Sequence, residues 1–189
     1  MRFNKFIGVF LLVTAFNFTH FPVQAQSYSA SYKFLKAIKD VNYRDIKVAI
    51  EKGVNINTRD YDDKSTALIM AVRMKEFPLA RYLLGNGAKT NLVGDDGKTP
   101  LLLAAASGNR AMVALLIKAG ADLDLADNNG TTPLVAGVLA RKGQIVTLLL
   151  EAGADYTLED YSGRSPLQHA IDNRQRRIEK LLRNAGATQ

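Results

Sequence analysis

A repeat period of 33 residues is the feature of this sequence that most constrains its fold. Thr66, Thr99, Thr132 and Ser165 stand 33 residues apart, and the dipeptide Gly-Ala recurs at the same interval from residue 87 to residue 187. A constant period of this length is typical of stacked supersecondary units, each of which contacts only its neighbours. The chain is therefore predicted to be a repeat array.

The first 25 residues have a different character and are typical of a secretory signal peptide. Arg2 and Lys5 precede an apolar run from residue 6 to residue 16, and Val23 and Ala25 supply small residues before a cleavage point after Ala25. A membrane anchor is the alternative, but a run of 11 residues is well short of the roughly 20 that a spanning helix needs. We therefore expect a periplasmic protein, with secretion from the cell as the second choice.

Charge and cysteine content narrow the expected partners. The full chain has 25 basic and 18 acidic residues, and loss of residues 1–25 would lower its net charge from +7 to +5. This mildly basic balance is not a nucleic-acid signature, and export also argues against nucleic acid as a partner. The absence of cysteine excludes disulfides and a lipid-modified cysteine anchor. We expect a soluble monomer with no stable membrane anchor after cleavage.

The repeat from residue 95 to residue 127 shows how one unit is expected to fold. Thr99 can cap a first helix, and Pro100 suits the first turn of that helix. Gly108 then turns the chain into a second helix with paired leucines, which ends at Gly120. The segment 127–130 reads as a tight turn ending in glycine. Each unit is therefore predicted to be a helix pair with a projecting hairpin loop.

This pattern divides the rest of the chain without interruption. Residues 26–31 are expected to form a short polar lead-in to one domain, 32–189. The domain holds about five repeats, at about 32–61, 62–94, 95–127, 128–160 and 161–189. Lys47, Glu179 and Arg183 replace apolar residues of the inner repeats, as expected for terminal units whose outer face meets water.

Several short motifs on this period resemble the ankyrin repeat. They are Thr99-Pro100-Leu101, Ala104-Ala105, Gly108, and Leu115-Leu116 followed by Gly120-Ala121-Asp122. The resemblance covers about residues 32–189 and implies an all-α ankyrin-repeat solenoid of helix pairs with projecting hairpin loops.

The sequence departs from the family pattern at two kinds of position. The usual histidine after Thr-Pro-Leu is replaced in every repeat, so the hydrogen bonds that it makes between loops must be missing or replaced; the substitutes are Ile69, Leu102, Val135 and Gln168. Lys64 stands where later repeats have the turn glycine, which predicts an irregular first hairpin.

The resemblance implies a protein partner bound along a concave face, which hairpin tips and the exposed ends of the first helices form. By phase, the candidate partner-binding residues are Tyr61, Asp62, Asp63, Arg73, Met74, Asp95, Asp96, Lys98, Ser107, Asn128, Asn129, Leu139, Tyr161, Arg164, Asp172 and Asn173. Tyrosine and arginine most often anchor interfaces, which favours Tyr61, Tyr161 and Arg164. The resemblance is compatible with an accessory or protective factor for another exported protein and with an immunity-type inhibitor.

Catalytic and cofactor motifs are missing from the sequence, so we expect neither an enzyme nor a cofactor or metal. His169 has no evident catalytic partners and is interpreted as a partly buried structural residue. The alternative is an enzyme or metal-dependent hydrolase that uses the turn carboxylates at 62–63 and 95–96. The basic helix between Arg174 and Arg183 has two interpretations, a solvated cap or a docking patch for an acidic partner or membrane surface.

Overall fold

The described part of the chain is built from helix pairs joined by turns and hairpin loops. The structure, a computed structural model, describes residues 21–188, with side chains from residue 29 onward. Ten helices form five consecutive pairs: α1 Phe21–Lys39 and α2 Tyr43–Glu51; α3 Ala67–Arg73 and α4 Phe77–Gly85; α5 Pro100–Ser107 and α6 Arg110–Lys118; α7 Pro133–Leu139 and α8 Gly143–Glu151; α9 Pro166–Asp172 and α10 Arg176–Asn184. Between residues 21 and 188 there is one isolated β-bridge, Arg59 to Thr66, and no longer strand. The predicted all-α solenoid of helix pairs is confirmed.

The N-terminal helix is longer than the sequence suggested. Residues 1–20 of the predicted signal peptide lie outside the described residues, while residues 21–25 and the predicted lead-in 26–31 form the first half of α1. The lead-in is therefore helical, because the segment from Ser29 to Lys39 contains no glycine or proline and buries Phe34 and Ile38 one turn apart. No helix between residues 21 and 188 is long and apolar enough to cross a membrane.

A hydroxyl side chain caps the first helix of each of the last four pairs. Thr66, Thr99, Thr132 and Ser165 accept hydrogen bonds from the backbone N–H three residues ahead, at 3.3, 3.1, 3.3 and 3.2 Å. In the last three of these helices the next residue is proline, whose fixed φ suits the first turn. Each cap contributes about 1 kcal/mol, so the 33-residue recurrence sets where these helices begin.

Stacked leucines form a core that runs along the array. Leu101 and Leu134 on first helices and Leu116 and Leu149 on second helices are all fully buried. The first helices pack on one another in order, α1 on α3, α3 on α5, α5 on α7 and α7 on α9. Burying one leucine contributes about 1.5–3 kcal/mol, so stability comes from contacts between neighbouring repeats.

Polar side chains after the second helices tie each repeat to the next one. The Asn57 side-chain oxygen accepts the Lys89 N–H at 2.8 Å, and the Asp124 carboxylate accepts the Asp155 N–H at 2.9 Å. In the repeat between them, Asn91 accepts from the backbone of Asp122 at 3.0 Å. These bonds cross the repeat boundary and hold neighbouring units in register.

The first hairpin differs from the later ones, as its missing glycine suggested. Lys64 adopts the left-handed φ of 54° that its glycine equivalents also adopt, so the turn itself is retained. The loop is one residue longer, because the Asp60 N–H bonds to the Ser65 carbonyl at 2.8 Å whereas Asp127 bonds to Thr131 at 3.0 Å. The Arg59 guanidinium donates to the Lys64 carbonyl at 3.0 Å and supports this longer loop.

Candidate functional site

Backbone hydrogen bonds join the hairpin tips into one row. The Asp95 N–H donates to the Asp63 carbonyl at 3.1 Å, and the Tyr161 N–H donates to the Asn129 carbonyl at 3.0 Å. Between these two contacts, the Asn128 side-chain amide donates to the Asp95 carbonyl at 3.0 Å. The tips therefore form a continuous surface, which we call the tip row, from residue 61 to residue 164.

Four predicted site residues meet in one ion-pair network on this row. Arg73, the last residue of α3, places Nη1 2.5 Å from Asp63 Oδ2 and Nη2 3.5 Å from Asp96 Oδ2. Lys98 Nζ lies 3.2 Å from the same Asp96 oxygen. Two carboxylates and two cations thus largely neutralise one another. The network joins neighbouring tips, while Asp62 and Asp95 beside it stay exposed and outside these ion pairs.

The two carboxylates of this network titrate below their ordinary range. Burial raises the pKa of Asp63, but hydrogen bonds from Ser65 and Arg73 outweigh it and lower the pKa overall. Burial also raises the pKa of Asp96, but hydrogen bonds from Lys98 and the charges of Lys98 and Arg73 outweigh it. The pKa of Asp96 is therefore lowered as well. Both groups are therefore ionised at neutral pH and act as fixed acceptors for Arg73 and Lys98.

A separate and smaller cluster lies at the far end of the row. Arg164 Nε lies 3.5 Å from Asp172 Oδ2, and the Gln168 side-chain amide donates to Asp172 Oδ1 at 2.7 Å. Asn173 uses its side-chain amide to donate to the His169 carbonyl at 2.8 Å, which closes the end of α9. Arg164 is thus held by the scaffold and is less free to anchor a partner than its sequence position suggested.

Large exposed side chains remain free at both ends of the row and near its middle. Tyr61 is 78% exposed and Tyr161 is 80% exposed, in the first and last hairpin tips. Leu139, the last residue of α7, is 46% exposed and holds the position that Arg73 and Asp172 hold in their repeats. Lys64 Nζ lies 5.0 Å from the centre of the Tyr61 ring. The two tyrosines thus lie in different hairpin tips, at the two ends of the row.

The other predicted residues divide between scaffold and open surface. Met74 is half-buried and packs against the core, and the Ser107 hydroxyl donates to the Ala104 carbonyl at 2.9 Å. Asp62, Asp95 and Asn129 are exposed at the tips. The side chains left for recognition on this face are therefore Tyr61, Asp62, Asp95, Asn129, Leu139 and Tyr161.

The repeated geometry has a counterpart among known families. Residues 78–160 match the family model described as ankyrin repeats, in three copies. Over these residues the chain is similar to ankyrin repeats. The match begins in α4 and ends in the last hairpin, and further helix pairs lie on either side of it. No curated protein matches the chain.

A buried contact that sequence reasoning missed replaces the ankyrin histidine in the last repeat. His169 Nε2 lies 2.7 Å from Asp160 Oδ2, and His169 is 6% exposed. Burial raises the pKa of Asp160, but hydrogen bonds from Ser162, His169 and the Arg164 N–H outweigh it and hold that pKa well below its usual range. His169 thus fastens the hairpin to α9. The sequence feature that pointed to this contact was Asp160, which holds the same repeat position as the turn residue Asp127.

The turn carboxylates do not have the arrangement that the metal-dependent alternative requires. Arg73 bridges Asp63 and Asp96, so a cation already occupies the space between them. Among residues 21–188, no three aspartate, glutamate, histidine or cysteine side chains are grouped so that they could hold a metal ion. Asp63 and Asp96 therefore serve here as ion-pair partners of Arg73 and Lys98.

Proposed function

We propose that this chain is a non-enzymatic binding protein that holds one exported protein partner along the tip row. Ankyrin repeats are generally protein–protein interaction modules, and the matching residues 78–160 include the two middle tips of the row. The observation that supports the proposal best is the exposure of Tyr61 and Tyr161, with Leu139 between them. Tyrosine is one of the residue types that are enriched at protein interfaces and among their main anchors.

The distribution of free and paired groups along the row favours two anchoring points. A tyrosine buries about 150–250 Å² when it is covered, and a standard interface buries about 800 Å² on each partner. Tyr61 and Tyr161 together would therefore supply roughly half of such an interface. The Asp63–Arg73–Asp96 network between adjacent tips fixes the spacing of the surface without needing a charged partner group.

The test is capture of a partner with matched tyrosine variants. Tagged protein is recovered from the periplasmic fraction of its own host, and the affinity of the captured partner is then measured. We expect Tyr61→Ala and Tyr161→Ala each to cost about 2 kcal/mol, which is roughly thirtyfold in affinity. Tyr43→Ala is the control, because Tyr43 is 42% exposed but lies at the start of α2 and outside the tip row. Full affinity in both tip variants, with folding intact, would refute the proposal.

The cellular role and location need separate measurements. An immunity-type inhibitor would abolish the activity of its partner, whereas an accessory or protective factor would leave that activity intact or prolong it. Sequencing the N-terminus of protein from the periplasmic fraction tests export. We expect the mature chain to begin at Gln26, and retention of Met1 in that fraction would contradict cleavage after Ala25.

A further inference from the structure

The turns between the two helices of each pair form a second edge with an unusual backbone. At the phase of Gly108 the chain has Lys75, Arg141 and Arg174, and these three residues adopt left-handed φ values of 62°, 58° and 55°. A side chain in this conformation costs about 1–2 kcal/mol, which glycine avoids. The edge thus carries basic side chains at positions where glycine would be more stable.

Positive charge on this edge concentrates around the starts of α8 and α10. Lys142 precedes α8, and Arg176 and Arg177 open α10. Within the described part of the chain, no carboxylate forms an ion pair with these residues or with Arg141 and Arg174. The turns between paired helices hold two acids, Asp40 before α2 and Glu76 before α4, and both lie in the first two pairs. The α8–α10 end of the edge therefore has an uncompensated positive potential.

A cleft lies at this end, between the start of α8 and the start of α10. Its volume is about 350 Å³, and its lining includes Arg141, Gln175, Arg176 and Arg177. Three of the residues that line this open cleft are therefore arginines. Guanidinium groups are well suited to planar, two-bonded recognition of carboxylate and phosphate oxygens.

Gln175 lines this cleft and has a buried side-chain amide without a partner. It is 8% exposed, and neither its side-chain Nε2 nor its Oε1 has a hydrogen-bond partner. It is also the N-cap residue of α10 but makes no capping bond, whereas Asn109 at the same phase accepts the Met112 N–H at 3.1 Å. An unpaired buried amide costs about 1–3 kcal/mol. Both the Gln175 amide and the first N–H groups of α10 would thus gain from a ligand.

We propose that this cleft binds a phosphate group. The groups it offers are the guanidiniums, the first-turn N–H groups of α10 and, once its side chain turns outward, the Gln175 amide N–H. The start of a helix also carries partial positive charge, which favours an anion. Free phosphate or a phosphomonoester, as a dianion, has enough oxygens for all these donors and balances two guanidinium charges, whereas a lipid phosphodiester has two free oxygens and balances one. Because the cleft is open, the phosphate can be free, part of a soluble ester, or the headgroup of an anionic lipid.

The proposal is tested by titrating the full chain with inorganic phosphate at constant ionic strength, above the second pKa of phosphate. We expect saturable amide shifts in NMR spectra at residues 175–178 and at Gly143. Arg141→Gln and Arg177→Gln should each weaken phosphate binding at least about tenfold, which corresponds to about 1.4 kcal/mol. Lys180→Gln is the matched control, because it removes one charge from the same helix outside the cleft.

Three further arms separate the possible ligands. Acetate at the same ionic strength should bind much more weakly than phosphate, and equal affinity would overturn the phosphate assignment. An equal loss of binding in Lys180→Gln and Arg177→Gln, or shifts that do not saturate, would also overturn the site. Co-sedimentation with phosphatidylglycerol vesicles that is lost in Arg177→Gln would identify a lipid headgroup as the source. Binding of glycerol phosphate without vesicle binding would identify a soluble ester. The site does not depend on the tip row.

Discussion

Substituting alanine for one hairpin glycine tests how the tips support one another. Gly130 has a left-handed φ of 77°, and a Cβ added to it would lie 2.7 Å from both the backbone N and the ring Cδ1 of Tyr161. Gly163 has nearly the same φ, 74°, and an added Cβ would meet nothing within 4 Å. The two glycines are 33 residues apart and hold equivalent positions in their hairpins. Gly163→Ala therefore measures backbone strain alone, and Gly130→Ala measures the same strain plus the lost contact between tips.

The expected magnitudes follow from these two geometries. Both variants incur the left-handed penalty of about 1–2 kcal/mol, reduced by the lower entropy of an unfolded chain with alanine. Gly130→Ala must in addition displace the Tyr161 N–H from the Asn129 carbonyl, a bond of 3.0 Å. Loss of that bond costs about 1 kcal/mol more. We therefore expect Gly130→Ala to lower the free energy of unfolding by about 2 kcal/mol and Gly163→Ala by about 1 kcal/mol.

Urea unfolding monitored by circular dichroism measures this difference, and hydrogen exchange at the Tyr161 amide locates it. The amide should lose protection in Gly130→Ala and keep it in Gly163→Ala. Equal stability losses in the two variants, or an unchanged Tyr161 amide in Gly130→Ala, would refute the idea that tip-to-tip contacts contribute to the stability of the row.

Three further predictions concern the scaffold. Arg174→Gly should raise the free energy of unfolding by about 0.5–1 kcal/mol, because glycine relieves the left-handed strain at φ 55°; a lower melting temperature would contradict this. Asp160→Asn should destabilise the last repeat at neutral pH. Because the folded pKa of Asp160 lies below its unfolded value, its stabilisation is present above about pH 4 and is lost as pH falls, so wild type and variant should converge in acid-titrated thermal melts. Leu116→Ala, at a fully buried position, should cost about 2–5 kcal/mol in urea unfolding, and a cost below about 1 kcal/mol would mean that the core is not continuous there.

Local rules made most of the fold predictable. Thr66, Thr99, Thr132 and Ser165 start helices because their own side chains cap them, and this requires only the next three residues. The positions of the turn glycines were predictable for the same reason. The lead-in at 26–31 was not, because its helix continues into a buried segment at Phe34 and Ile38 whose packing lies outside the local pattern.

The candidate site was predictable as a surface but not as a set of contacts. Phase placed Tyr61 and Tyr161 at hairpin tips, and the structure leaves both largely exposed. Position in the repeat did not distinguish these tyrosines from Arg73 and Asp96, which were also predicted to lie on the concave face. In the structure Arg73 and Asp96 form an ion pair at 3.5 Å. Nor did it single out Gln175, because a missing partner is visible only when every neighbour has been placed.

The sequence alone determined the number of helix pairs, their phase and their caps, because a helix start and a turn depend on residues close in the chain. The tertiary structure alone decided which charges are neutralised and which remain free. Arg73 contacts Asp63 and Asp96, which are 10 and 23 positions away, while Arg141 and Arg177 contact no described carboxylate. Ion pairs and hydrogen bonds form within about 3–4 Å, and one-dimensional phase does not specify distances between side chains of neighbouring repeats.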